Sequence, residues 1–213
     1  MEELNFDNIA KAILSNLKEN AANIVTVSNP SPRIVGDKVQ DYLGDVLSTI
    51  LSPIKVKTDF GRRSMEDMAF TDQNNNYYAV DVKTHNVDLK FSRPNLISVE
   101  RLANFYHKDN NNFCILLVSY RIPDGKISFQ NCVFKRIENF NWNCLSIGAL
   151  GCGQIQIANA NKELSYLDND SNTRKSWMLT FCKELSIFYN KEQSKIINRK
   201  KKIDSINSYW KAK

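Results

Sequence analysis

The stretch from Met65 to Asn86 limits the fold of this chain more than any other part of its sequence. It contains two short apolar runs on either side of the polar residues 72–76, and this pattern predicts a β-hairpin. A hairpin centred on that turn places Asp67 opposite Asp81, with both side chains on one face. Lys83 lies on the same face, because side chains alternate along a strand. The hairpin therefore predicts two carboxylates and one ammonium at a single place.

This trio of side chains suits a magnesium ion, which takes oxygen ligands and keeps several waters. Asp67 and Asp81 each offer one oxygen, and the backbone carbonyl of Val82 offers a third. Lys83 is placed to hold a metal-bound water or to offset negative charge on phosphorus. The trio favours phosphodiester hydrolysis over glycoside cleavage, which requires a pair of carboxylates without lysine or metal. The spacing leaves one alternative open, an exposed ion pair with no chemical role.

Length and composition indicate a single domain over residues 1–213, since 213 residues with 42% hydrophobic content form one substantial core. The net charge of +6 favours an anionic partner, nucleic acid first, although a mildly basic enzyme without a polyanion partner fits equally well. No apolar run approaches the roughly 18 residues of a membrane span, and no secretory signal is visible at the N-terminus. Five cysteines without a Cys-x-x-Cys pair predict reduced thiols and a cytoplasmic location.

Hydrophobic periodicity predicts an α/β (α+β) fold with a central mixed sheet flanked by helices. The predicted helices are Phe6–Ala22 capped by Asn5 or Asp7, Ile34–Leu51, Leu96–Tyr106, and a final helix containing Trp177, Phe181, Leu185 and Phe188. The predicted strands are Ile54–Phe60, the two hairpin arms, Phe113–Tyr120, Lys126–Phe134 and Gln154–Asn159. Loops are predicted at Ser28–Arg33 and Asp168–Asn172. The basic C-terminal helix or tail, about 191–213, is either a DNA-contacting arm or a solvated charge run.

The segment Ser146–Gly153 holds three of the chain's seven glycines. A glycine-rich loop can bring backbone close to a ligand, but it can also be a tight turn between strands. The segment lacks the Gly-Lys-Ser ending of a phosphate-binding loop. His85 shares the strand face of Asp81 and Lys83, where it has either a supporting role, such as a DNA-backbone contact, or a plain surface position.

The residues Glu66-Asp67, followed by Asp81-Val82-Lys83, resemble the catalytic motif of the PD-(D/E)xK nuclease superfamily. Asp81–Asn86 together with Pro94–Ser98 and Leu102-Ala103 resembles the type II restriction endonucleases of the HincII type, and the plan of the chain more distantly resembles the EcoRV type. The resemblance implies a restriction-endonuclease-like core, a Mg²⁺ cofactor, and a homodimer that cuts double-stranded DNA at a short palindrome and leaves blunt ends. A DNA repair or junction-resolving nuclease on the same core, and a non-catalytic DNA-binding module, are the alternatives.

The resemblance also implies roles for individual residues. Asp67 and Asp81 correspond to the metal-binding carboxylates and Lys83 to the catalytic lysine. The expected DNA-contacting residues are Phe91, Ser92, Asn95, Gly151, Gly153, Gln154 and Gln156. Phe91 is either an intercalating aromatic or a core residue. Glutamine and asparagine pair with adenine edges, so Gln154, Gln156 and Asn159 favour adenine-containing sites.

An acidic residue on the helix before the motif is common in this superfamily. Gln40 aligns best with that position here, with Asp37 and Asp41 as its neighbours, and both Asp37 and Gln40 are expected to support the site. The chain also departs from the motif at Glu66, which stands in place of the proline.

Overall fold

The computed structural model describes residues 4–61, 64–167 and 173–213. The helices are α1 (Phe6–Ile24), α2 (Pro32–Ile50), α3 (Val99–Phe105) and α4 (Thr173–Lys211). The strands are β1 (Val56–Lys57), β2 (Met68–Thr71), β3 (Tyr77–Asn86), β4 (Asn95–Ser98), β5 (Asn111–Arg121), β6 (Ser128–Arg136), β7 (Leu145–Gly148) and β8 (Gln154–Ile157). The loop predicted at Asp168–Asn172 lies outside the described residues.

A five-stranded sheet in the order β1-β2-β3-β5-β6 forms the centre of the fold. β3 and β5 run parallel over ten paired positions, whereas the other neighbours are antiparallel. Parallel neighbours require a crossover connection, and here β4 and α3 lie in that crossover. The predicted mixed sheet flanked by helices is confirmed.

The central sheet has an apolar core on each face. One core packs α1 and α2 against side chains that include Val80 and Val82 of β3. The other core contains Ala79 and joins the sheet to α3, to the first half of α4, and to a small three-stranded sheet in the order β4-β8-β7. Side chains alternate along β3, so Asp81, Lys83 and His85 lie on the same side as Ala79.

The first two helices begin at side-chain caps. Asn5 accepts a hydrogen bond from the backbone N–H of Asn8, which confirms it as the cap of α1. Ser31 accepts from the N–H of Ile34, and α2 therefore begins at Pro32, within the segment predicted as a loop. Proline is tolerated in the first turn because the N–H it lacks has no helical partner there.

Three predictions about strands are wrong, and in each case pairing across the chain overrides the local pattern. β1 is shorter than the predicted Ile54–Phe60, because only two of its residues pair with β2. Leu96 was expected at the start of a helix, but it lies in β4, which pairs with β8. β7 was not predicted and pairs with the other edge of β8.

The last helix is much longer than the core needs. α4 has 39 residues and is therefore about 58 Å long at 1.5 Å per residue. Its only buried residues are Thr173, Trp177 and Phe181, and every residue from 193 to 213 is exposed. The basic segment predicted from Lys191 onward is thus the continuation of this helix. In the described parts of the chain, no helix combines the length and apolar character needed to cross a membrane.

Candidate functional site

The predicted hairpin is present, with the register that the sequence suggested. Met68 pairs with Val80, and the pairing continues to Thr71 and Tyr77. The turn is closed by Asp72, whose side chain accepts hydrogen bonds from the backbone N–H groups of Asn74 and Asn76 at 2.8 and 2.9 Å. These bonds fix the turn and hence the register of both strands. Asp72 thus has a structural role.

Asp67 lies one residue before β2 and makes contacts on both sides of Asp81. Its backbone N–H donates to the carbonyl of Val80 at 2.9 Å, and its Oδ2 accepts from the N–H of Val82 at 2.7 Å. The N–H and the carbonyl of one strand residue point to the same side. The Val82 carbonyl therefore also points toward the edge of β3 where the Asp67 carboxylate lies.

Asp81 is the most deeply buried member of the trio, with 5% of its surface exposed. Its Oδ1 accepts a hydrogen bond from Lys83 Nζ at 2.5 Å. Its Oδ2 is also buried but has no hydrogen-bond partner among the residues that the structure describes. A buried polar atom without a partner is costly and uncommon in a native structure, and this atom is the one place in the site where an added ligand would satisfy a missing interaction.

Burial raises the pKa of Asp81 to about 7, a rise that the Lys83 ammonium opposes and the Asp67 carboxylate reinforces. The ionised carboxylate is disfavoured because it has left water. A cation bound at Oδ2 would favour the ionised form. Since such a cation would replace the lost hydration, the electrostatics of Asp81 fit a metal ligand better than a settled structural ion pair.

The donor set fits magnesium rather than zinc. Among the residues that the structure describes, no group of three or more His, Cys, Asp or Glu side chains is placed to hold a metal ion. The protein therefore offers two carboxylates and a backbone carbonyl, all of them oxygen ligands. Magnesium is held by one or two carboxylates and keeps several waters, whereas structural zinc requires four protein ligands.

Two other polar residues near the motif, Glu66 and His85, contact residues outside the trio. Glu66 Oε1 accepts from the Tyr77 hydroxyl at 3.0 Å, and its Oε2 accepts from a backbone N–H. His85 is buried, not on the surface, and its ring lies 3.3 Å from the Ser119 hydroxyl. Burial lowers the pKa of His85, which favours the neutral ring. Its position in the interior rules out the plain surface reading.

The two expected supporting residues lie on α2, which packs on the opposite face of the sheet. Asp37 is exposed and forms an ion pair with Arg33 at 3.8 Å, and it is not grouped with the two hairpin carboxylates among the described residues. Gln40 is half-buried on the same helix. The supporting role expected for both stays a prediction.

The segment 87–94 leaves the end of β3 and presents Phe91 to solvent. Phe91 is 53% exposed, which excludes the core alternative, and the Arg93 guanidinium lies 5.0 Å from the centre of its ring. Ser92 is held at its backbone: its carbonyl accepts from Ala160 at 2.7 Å and its N–H donates to Asn159 Oδ1. The Asn159 side chain therefore helps to hold the backbone of this segment.

The small sheet carries a row of polar side chains across its three strands. Gln156 of β8 pairs in register with Asn95 of β4 and with Ser146 of β7. Its Nε2 donates to Asn95 Oδ1 at 2.5 Å, whereas the Ser146 hydroxyl is buried without a partner. Gln154 lies in the neighbouring row, between Ser98 and Gly148.

The glycines between β7 and β8 are explained by the local backbone. Gly151 has a φ of +60° and Gly153 a φ of +120°, conformations that favour glycine. Gly153 is also buried, and a Cβ there would lie 3.1 Å from Val99. The tight-turn reading of this segment is confirmed, and the predicted DNA contact of Gly151, which is exposed, is untested.

Sequence reasoning did not single out Arg93 and Ser146. The Phe-x-Arg spacing of residues 91 and 93 gave a signal for the first, because residues two apart in an extended segment lie on one side. Ser146 gave no such signal, since its place beside Gln156 depends on the pairing of β7 with β8.

Comparison with known proteins shows little likeness. No protein-family model matches the chain, and no curated protein matches it. Among solved structures, the NlaIV restriction endonuclease superposes with a TM-score of 0.43 and 13% sequence identity, over 74% of this chain and 75% of that one.

Proposed function

We propose that this chain is a magnesium-dependent endonuclease that hydrolyses phosphodiester bonds in double-stranded DNA, of the type II restriction class. The observation that carries the proposal is the state of Asp81. This buried carboxylate is paired with Lys83 through one oxygen, and its second oxygen has no hydrogen-bond partner among the described residues. Asp67 hydrogen-bonds to the backbone of the two neighbouring residues, Val80 and Val82. Catalytic sites are where buried charges with shifted pKa values concentrate.

Each member of the site has a distinct role in this proposal. Asp67, Asp81 and the Val82 carbonyl would hold the magnesium ion, which would make a coordinated water more acidic and offset negative charge on the phosphate. Lys83 lies between the buried carboxylate and solvent, with 26% of its side chain exposed. Its ammonium is thus able to orient the attacking water and to stabilise the charge that develops on phosphorus.

The remaining surface supports a DNA substrate. Phe91 with Arg93 forms an exposed aromatic and cationic pair, and apolar wedges of this kind can unstack a base step. Asn95, Gln154 and Gln156 offer amides of the type that reads adenine in the major groove. We propose that two copies act together on a palindromic site, since each strand then meets one active centre, that the products have blunt ends, and that the enzyme works in the cytoplasm.

A plasmid digest tests the proposal. Purified protein is incubated with supercoiled plasmid in magnesium and, separately, in excess chelator, and Lys83→Ala prepared in parallel serves as the control for contaminating nucleases. Discrete fragments that depend on magnesium and are absent with Lys83→Ala are expected. End sequencing of those fragments then gives the recognition sequence and the position of the cut.

Two other results would replace the proposal. Cutting confined to branched or damaged DNA would indicate a junction-resolving or repair nuclease. Salt-sensitive DNA binding without cleavage in any divalent metal would indicate a non-catalytic binding module.

A further inference from the structure

The outer half of α4, residues 189–211, which we call the helical arm, extends away from both cores. Long apolar side chains remain exposed along it: Tyr189, Ile196, Ile203 and Trp210 are 43%, 54%, 62% and 64% exposed. These four residues follow one another at intervals of seven. A seven-residue apolar repeat forms a stripe along one side of a helix and is typical of pairing with a second helix.

The positions three residues after these apolar ones are Glu192, Arg199 and Ile206. Residues three apart lie on the same face, so the stripe contains one acidic and one basic side chain one heptad apart. In a parallel, in-register pair of identical helices, Glu192 would face its own copy and so would Arg199. In an antiparallel pair, Glu192 of one helix lies near Arg199 of the other. The stripe is therefore self-complementary in the antiparallel orientation.

The polar sides of the arm carry mostly positive charge, so the apolar stripe is the part of the arm that favours pairing. Residues 190–213 contain eight Lys or Arg and two Asp or Glu, a net charge of +6 that equals the net charge of the whole chain. The only side-chain ion pair described within this stretch is Lys195 with Glu192 at 2.6 Å. A helix whose polar sides carry like charges has weak support of its own, since most helical stability in proteins comes from packing of an apolar face.

We propose that the helical arm pairs antiparallel with the arm of a second copy of this chain, about a two-fold axis between Ile197 and Asn198. In this register Glu192 of each copy lies within about one turn of Arg199 of the other. Trp210 lies level with Leu185 and Lys211 level with Glu184. The inference deepens the proposed function by naming the surface through which the two copies associate.

A groove beside the base of the arm fits this register. It lies between β7 and α4, has a volume of about 330 Å³, and is lined by apolar side chains that include Leu145, Ile147 and Phe188. Two acidic and two basic residues also line it: Glu184, Glu192, Lys191 and Lys195. The last turn of a second arm brings aromatic and basic side chains to this place. The apolar surface of the groove thus matches the aromatic end of the arm.

Sedimentation equilibrium without DNA tests the proposal. Wild type is expected to dimerise at micromolar concentration, more tightly as moderate salt screens the charge on the arms. Ile196→Asp is expected to raise the dissociation constant at least about 30-fold, the effect of losing a central contact. Ile197→Asp is the matched control, because Ile197 is 48% exposed but lies off the stripe, and it should dimerise like wild type.

Charge exchange tests the orientation. Glu192→Arg alone places like charges together in an antiparallel pair and should weaken it, whereas adding Arg199→Glu should restore it. A parallel pair would show neither the loss nor the rescue. Circular dichroism of each variant verifies that the body remains folded.

Three results would overturn the inference: a monomeric wild type, equal effects of the Ile196 and Ile197 changes, or a monomer whose DNA affinity is lost on changing Lys200, Lys201 and Lys202 to Glu. The third result would show that the arm binds DNA. Cleavage plays no part in this measurement. An arm-mediated dimer that never cuts DNA would overturn only the proposed function, and a monomer that cuts would overturn only this inference.

Discussion

The two buried carboxylates Asp81 and Glu138 differ in how many of their oxygens accept hydrogen bonds. Glu138 is 1% exposed, and both of its oxygens are satisfied. One accepts from Arg174 at 2.9 and 2.8 Å, and the other accepts from the Tyr106 hydroxyl at 2.5 Å. Asp81 is almost as buried, yet one of its oxygens has no partner.

The difference separates a carboxylate whose oxygens are all used within the fold from one that has an oxygen to spare. Arg174 also donates to the carbonyl of Asp109 and to Asn112, at 2.7 Å each, so the Glu138 network fastens the start of α4 to the central sheet. A fully satisfied network of this kind holds one conformation. Asp81 holds nothing in place through its free oxygen, and that oxygen is therefore open to a ligand.

The largest expected difference between the two carboxylates is in the rate of DNA cleavage after each is substituted. Asp81→Asn should lower the rate of DNA cleavage about 10³-fold or more, because a neutral amide neither holds a cation nor pairs with Lys83. Glu138→Gln should leave the rate per folded molecule close to that of wild type. Initial rates on a plasmid, corrected for folded fraction by circular dichroism, measure both. Wild-type cutting by Asp81→Asn would mean that the site is assigned to the wrong residues.

Substitution of Glu138 should change the free energy of unfolding rather than the rate of cleavage. Glu138→Gln leaves Arg174 without its counter-charge and should lower the free energy of unfolding by about 2–4 kcal/mol, somewhat below the cost of breaking a fully buried pair, since the Arg174 side chain is 25% exposed. Urea titration measures the change. Glu163→Gln, the same substitution at an exposed position, is the control. Equal unfolding free energies for the two variants would show that the network does not stabilise the fold.

The pH dependence of stability should distinguish Asp81 further. The folded pKa of about 7 exceeds the ordinary value of 3.8, so the folded state keeps a proton that the unfolded chain releases, and stability from this group falls as pH rises from about 4 to 7. Without metal, Asp81→Asn should therefore be more stable than wild type at pH 8, on the order of 1–3 kcal/mol. The stability advantage of Asp81→Asn over wild type should decrease toward pH 4. Thermal unfolding across this range measures it.

Exposed Asp88, which pairs with Arg121 at 3.3 Å, provides the control for that experiment. Asp88→Asn should change stability by less than about 0.5 kcal/mol at either pH. If Asp81→Asn behaves in the same way, the ionised Asp81 carries no penalty in the folded protein.

The smallest expected effect is stabilisation by magnesium. At ten times its dissociation constant, a ligand that binds only the folded state adds about 1.4 kcal/mol. Wild type and Glu138→Gln should both gain this increment, and Asp81→Asn should not. Differential scanning calorimetry with magnesium, against the same ionic strength of sodium, measures the gain. An increment that persists in Asp81→Asn would place the metal elsewhere.

Local rules were enough to predict the hairpin and its register. The alternation around residues 68–71 and 77–80 and the polar turn at Asp72 all specify the same pairing, and agreement between levels is what makes a structure predictable. The trio of Asp67, Asp81 and Lys83 follows from that register alone. Its chemical role does not, because an ion pair and a metal site share the same spacing.

What could not be predicted depends on contacts between distant parts of the chain. The partnerless oxygen of Asp81 arises from the second core packed against it, and no local pattern indicates that burial. The Glu138 network joins residues 106, 138 and 174, and β4 and β7 exist because both pair with β8. The apolar repeat predicted the helix α4, but it did not predict that every residue from 193 to 213 is exposed.

The anchoring of segment 87–94 has a mechanical consequence. Its backbone is tied at Ser92 to Asn159 and Ala160, beside the end of β8, and at Val87 to Tyr120 of β5. The chain between Lys83 and Asn95 is thus held at both ends, and it fixes the distance from the Asp81–Lys83 pair to the amide row of the small sheet. If the chain acts as the proposed nuclease, the length of this backbone segment would set the distance between the bases that are read and the bond that is cut.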